Sequence, residues 1–210
     1  MKQIVVVGGG GHAKVLISIL KKIHQFDIIG YTDYINKGMI LGVSYVGEDA
    51  MLQQIIQNNR DCAAAIGIGI VSISEMRKKL MANVAALGFQ LPVIISPHAI
   101  VNEEVSIDRG TVIFDGAVIN SGASIGAGVI INTNSTVEHD CRIGDDVHIA
   151  PGATLSGGVE IGESSLIGTG ASVIQGLKIA SHCLIGAGAV VIHNCVERGV
   201  YVGNPARQVH

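Results

Sequence analysis

Aromatic residues make up only 3% of this 210-residue chain, and its 14 lysines and arginines are scattered among 17 acids, leaving a net charge of −3. A nucleic-acid binder needs cationic groups to track phosphates and flat rings to stack on bases. Both are scarce, so nucleic acid is not an expected partner. Apolar residues reach 48%, yet they never run unbroken for the roughly 18 positions that a membrane span needs. The amino terminus passes from "IVVV" straight into glycines rather than into the apolar core of a signal peptide. A soluble, cytoplasmic, globular chain is expected, with no membrane partner. With only four cysteines, spacing decides whether they mean disulfides, a metal or neither.

From Val101 the chain divides into consecutive six-residue units, beginning VNEEVS, IDRGTV, IFDGAV and INSGAS and continuing without a slip to VIHNCV. Every first position is Ile, Val or Leu. The fifth is small or medium, and Cys141, Cys183 and Cys195 all fall there, which makes them interior fillers. Sixteen units in register cannot be accidental. Six residues suit one short strand and a corner, with glycine, Asp and Asn where the chain turns. The second half is therefore a β-solenoid. It resembles the hexapeptide-repeat acyltransferases, which implies three units per coil and a left-handed parallel β-helix. The tail "GVYVGNPARQV" is similar to the segment with which those enzymes close the helix.

The first ninety residues follow another logic. "QIVVVGGGGHAKVLISIL" reads as a buried strand, a glycine turn and an amphipathic helix; "DIIGYTD" is a second strand ending in Asp33, and "CAAAIGIG" a third, before a helix-like "SISEMRKKLMANVAAL". This is an α/β, Rossmann-like unit. Pro92 and Pro97 interrupt the pattern where the six-residue count begins, so the expected domains are 1–92, a half-unit of the nucleotide-binding kind, and 93–210, the β-helix with its closing segment. "GGGGHA" fits G-x-G-x-x-A between a strand and a helix, an arrangement that points backbone N–H groups at phosphate. One mononucleotide-sized half is too little for a dehydrogenase.

Taken in order, "VVVGGGGHA", the strand ending in Asp33, "AIGIG" and "NTNSTVEHDC" resemble the sialic-acid O-acetyltransferase and nucleotide-sugar N-acetyltransferase family, which includes enzymes that acetylate UDP-linked 4-amino-4,6-dideoxy sugars. The resemblance covers essentially the whole chain. It implies that Gly10, Gly11 and His12 meet the diphosphate or sugar, with Thr32, Asp33 and Gly67 around the nucleoside. It also implies acetyl-CoA as co-substrate, no metal, and a homotrimer. "AIGIGIVSISEMRKK" is longer before its basic helix than the family's short polar loop.

His139 stands in "VEHDCR" between Glu138 and Asp140. In a three-unit coil residues 18 apart stack, with strands about 4.8 Å apart, which puts His139 in one column with Ser121 and Gly157. An imidazole held by a carboxylate is a general-base arrangement. Acetyl transfer needs the attacking amine neutral and a donor for the developing oxyanion. His139 would take the proton and the Gly157 N–H would face the oxyanion; the resemblance implies Asp140 as the acid that orients the ring, and on sequence alone Glu138 would serve as well. The resemblance implies His148 as a coenzyme contact, Thr169 and Ala187 along the pantetheine or adenine groove, and Asn132 at the acceptor. His98, His182, His193 and His210 carry no partner pattern. The expected reaction is acetylation of the 4-amino group of a nucleotide-linked amino-deoxy sugar. Rival readings are sialic-acid O-acetylation, a γ-class carbonic-anhydrase-like zinc site using His139 and His148, and a non-catalytic solenoid.

Overall fold

Strand β1 (Lys2–Val7) begins the chain, and its Ile4–Val7 run is fully buried because the strand is flanked on both sides within its sheet and covered by helices. The computed structural model describes residues 1–72 and 74–209, so His210 lies outside it. After β1 come α1 (Gly11–Ile23), β2 (Phe26–Thr32), β3 (Tyr45–Gly47), α2 (Met51–Asn58), β4 (Ala63–Ile66) and α3 (Met76–Ala86). The strands form a parallel sheet in the order β3-β2-β1-β4. Helix α1 buries Ala13, Leu16, Ile17 and Leu20, spaced as one helical face requires. Helix α3 starts at Met76, later than the helix-like pattern from Ser72 suggests.

The chain separates into two compact units, Met1–Gly69 with Met76–Pro97, and Ile70–Glu75 with His98–His210. The extra residues of "AIGIGIVSISE" thus group with the solenoid.

The second unit is a left-handed parallel β-helix of two-residue strands, in which the register pairs residues 18 apart on each of three faces. The first face runs from Ile100–Val101 through Thr136–Val137 to Val190–Val191, the second from Ser106–Ile107 through Arg142–Ile143 to Lys178–Ile179, and the third from Val112–Ile113 through His148–Ile149 to Cys183–Ile185. Each unit's leading aliphatic residue points inward; from Ile113 to Val191 all are buried, each contributing about 1.5–3 kcal/mol. Cys141, Cys183 and Cys195 fill the same interior. Gly199–Val202 continues the third face in parallel, and Arg207–Val209 returns antiparallel beside it, covering the open edge.

The fourth position of nearly every unit has left-handed backbone, from Gly110 at φ +68° to Gly188 at φ +67°. Where glycine is missing, Asn134, Asp140, Asp146, Ser164 or His182 adopts it. Asn and Asp tolerate this region best among side-chain-bearing residues, which is why the turns read G, N or D.

Candidate active site

In the first unit the glycine loop leaves the carboxyl end of β1 beside β4, where the strand order reverses and open α/β sheets bind ligands. Its glycines do different jobs. Gly8 is left-handed at φ +106°, and a Cβ on Gly67 would meet Ala13 Cβ at 2.8 Å and Gly8 O at 2.9 Å, so Gly67 is required by helix–strand packing. A Cβ on Gly9 would strike the Tyr31 ring at 2.6 Å. Gly10 and Gly11 have nothing within 4 Å of such an atom, so nothing in the chain demands their bareness, and a phosphate can come close to both. The His12 ring, at the start of α1, lies against Gly69.

Asp33, 8% exposed, is the anchor of this loop. Its Oδ2 accepts the Gly9 N–H at 2.8 Å and faces Lys37 Nζ at 3.2 Å, while Oδ1 accepts the Ile35 N–H at 3.0 Å. Burial by itself would push this carboxyl up, but the Ile35 and Gly9 N–H groups and the Lys37 ammonium outweigh it and hold it below its ordinary value. Thr32 is fully buried and donates Oγ1–H to Asp49 Oδ1 at 2.6 Å. A cleft of about 290 Å³ opens here, lined by Gly8, Asp33, Tyr34, Glu48, Asp49, Ala50 and Ile68. Sequence reasoning missed Tyr34, Glu48 and Asp49. The acids follow a three-residue strand too short to announce itself.

In the second unit His139 occupies the corner between Thr136–Val137 and Arg142–Ile143. Its Nδ1 is 2.8 Å from Asp140 Oδ2, so Nδ1–H donates to the carboxylate and Nε2 keeps a lone pair for a proton. The hydrogen bond to Asp140, opposed by partial desolvation and aided by the charges of Asp140 and Glu138, raises the imidazole above its usual 6.5. Glu138 is turned elsewhere and accepts Asn120 Nδ2–H at 2.8 Å. One coil on, a Cβ at Gly157 would meet His139 Nε2 at 2.5 Å. The ring packs directly against a glycine, and the Gly157 N–H has no acceptor among the described residues. Gly157→Ala should therefore displace the imidazole, cutting the rate of acetyl transfer by about tenfold or more while thermal stability stays near wild type, as paired kinetics and melting curves will read.

Asn132 and His148 meet each other, Nδ2 to Nε2 at 3.0 Å, at a different corner from His139. His148 Nδ1–H donates to Ile70 O at 2.7 Å, so both ring nitrogens of this 8%-exposed side chain are engaged. Thr169 and Ala187 stack in one corner column, joined by Gly188 N–H donating to Thr169 O at 2.8 Å. His98 and His193 are exposed. Among the described residues no three His, Cys, Asp or Glu side chains gather as ligands for a metal ion.

Residues 3–84 match the PglD N-terminal domain, and residues 122–157 and 140–175 match the bacterial transferase hexapeptide of six repeats. The acetyltransferase domain of PglB from Neisseria gonorrhoeae FA1090 is 35% identical, with all of both chains covered and a TM-score of 0.92. The chain is a member of the hexapeptide-repeat sugar N-acetyltransferase family. This acetyltransferase superposes equally well on PerB, the perosamine N-acetyltransferase of Caulobacter crescentus, in complex with CoA and GDP-perosamine, at 34% identity over 100% of this chain and 98% of that one, TM-score 0.93. WeeI from Acinetobacter baumannii AYE is 28% identical over the whole of both chains, TM-score 0.87. No curated protein matches the acetyltransferase.

Proposed function

We propose that this acetyltransferase moves the acetyl group of acetyl-CoA onto the 4-amino group of a nucleotide-linked amino-deoxy sugar used in bacterial glycan assembly. One observation carries the reading: an imidazole whose Nδ1–H is committed to Asp140 and whose Nε2 stands against the Gly157 backbone. Nε2 takes the amine proton as the sugar nitrogen attacks the thioester carbon; the C–N bond forms, the Gly157 N–H meets the oxyanion, and the C–S bond then breaks, the proton on Nε2 passing to the sulfur so that coenzyme A leaves as its thiol. No acyl-enzyme is needed. The PglB domain binds acetyl coenzyme A, and PerB binds CoA with GDP-perosamine, ligands that match the two halves of this reaction.

In the first unit, Gly10, Gly11 and the start of α1 hold the diphosphate, and Asp33 braces the loop that presents them, with Thr32, His12 and Gly67 around it. In the second, Thr169 and Ala187 line the coenzyme groove, with His148 and Asn132 in supporting contact. The working form is a homotrimer; the exposed Ile174 and Ile192, 18 apart in one column, suit burial against a neighbouring copy. Four free cysteines fit the reducing cytoplasm. No helix among the described residues is long and apolar enough to cross a membrane.

The test is thiol release from acetyl-CoA with UDP-, GDP- and dTDP-linked 4-amino sugars and free sialic acid. Turnover confined to one nucleotide amino sugar is expected and names the base. Turnover on sialic acid alone would move the activity to O-acetylation.

A further inference from the structure

Two carboxylates flank His139, and only one holds its ring. The reason lies one coil below. Asn102 Nδ2–H donates to Asn120 Oδ1 at 2.6 Å, and Asn120 Nδ2–H donates to Glu138 Oε2 at 2.8 Å, so a ladder of side chains 18 apart draws Glu138 along the helix axis and away from the imidazole. Beneath Asp140 stands Gly122, where a Cβ would meet Asp140 Oδ1 at 2.7 Å and the backbone has φ +75°. Asp140 itself is left-handed at φ +59°, a conformation that fits its carboxylate reaching Nδ1. A side chain at position 122 would push that exposed carboxylate out of its present place beside Nδ1.

We propose that Asn120 and Gly122 are positioning residues that assign His139 Nδ1 to Asp140 rather than to Glu138, Asn120 by holding the competitor and Gly122 by leaving room for the partner. The inference rests on His139 as the base and adds how that base is set. The charged groups acting on the ring are Asp140 and Glu138 of its own turn; the coils below and above place Ser121 and Gly157 in its column.

The experiment reads His139 directly, by NMR titration of the imidazole in the full chain, beside kcat and KM across pH. Gly122→Ala is compared with Gly176→Ala, at φ +69° in the same corner column, where an added Cβ has nothing within 4 Å. The two variants carry the same backbone penalty, and only the first crowds Asp140. In Gly122→Ala the His139 pKa should fall back toward 6.5 and kcat should drop about tenfold with KM for acetyl-CoA unchanged, while Gly176→Ala keeps both. A Gly122→Ala chain that titrates like wild type, or a Gly176→Ala chain that loses as much, overturns the proposal.

A second arm stands if Gly122→Ala does not fold. Asp140→Asn should lower the His139 pKa, and adding Asn120→Ala should restore about half of the loss by freeing Glu138 to reach the ring. No restoration overturns the assignment to Asn120. Were His139 not the base, kcat would stop following the titration, yet the titration would still report which carboxylate holds the ring.

Discussion

Replacing His139 with alanine should lower kcat by about 10² to 10⁴-fold, the usual contribution of a positioned general base. KM for acetyl-CoA and the melting temperature should barely move, because the exposed ring touches Asp140 and lies against a glycine and supports no core contact. Its pH dependence has a definite sign. The raised pKa means that the imidazole is protonated, and so unable to accept a proton, until the pH passes above 6.5. The acid limb of kcat should therefore lie above that value in the wild type, and in Asp140→Asn it should move to lower pH while the plateau rate falls. Steady-state rates from pH 5 to 9 will check both movements; an alanine variant with an intact rate would remove His139 from the chemistry.

The second large effect belongs to the other unit and is one of stability. Asp33→Ala strips acceptors from the buried Gly9 N–H and the exposed Ile35 N–H, and the counter-charge from the part-exposed Lys37. The buried Gly9 N–H, left without an acceptor, costs about 1–3 kcal/mol, while water reaches the exposed Ile35 N–H, so a loss of about 1–3 kcal/mol should be readable by urea denaturation. The loop presenting Gly10 and Gly11 loosens with it, so affinity for the nucleotide sugar should weaken in calorimetric titrations. Because the folded carboxyl is held below its ordinary value, its stabilisation is present above that value and lost as the pH falls through the folded pKa. Wild type should therefore lose this contribution only as the pH falls below the ordinary 3.8, and the variant should lack that part of the decline.

The repeat was fully legible because each six-residue unit must present one aliphatic side chain to a narrow interior, and composition records that demand at every sixth position. The glycine turn was legible for a similar reason: Gly8 and Gly67 answer to steric limits that sequence expresses as glycine. Strand β3 and helix α2 were not, since three and eight residues hold too few turns of pattern. Thr32 illustrates a different limit. Its identity suits a ligand contact, but its hydroxyl is spent on Asp49, and only the packing of β2 beside β3 decides that. The choice between Glu138 and Asp140 needed the third dimension too, although Asn120 and Gly122 stand 18 residues before them and a column-by-column comparison would have found both.

The bare position beneath a corner side chain recurs. Gly116 lies under Asn134, Gly122 under Asp140 and Gly126 under Asp145, and Gly157 lies over His139. In this solenoid a polar corner and its vacant neighbour on the adjoining coil act as mould and cast. Moving the His139–Asp140 turn to another coil would mean moving two glycines with it. Descendants of this chain should exchange such residues in matched sets one coil apart, so that heredity in the helix runs down its columns as well as along its sequence.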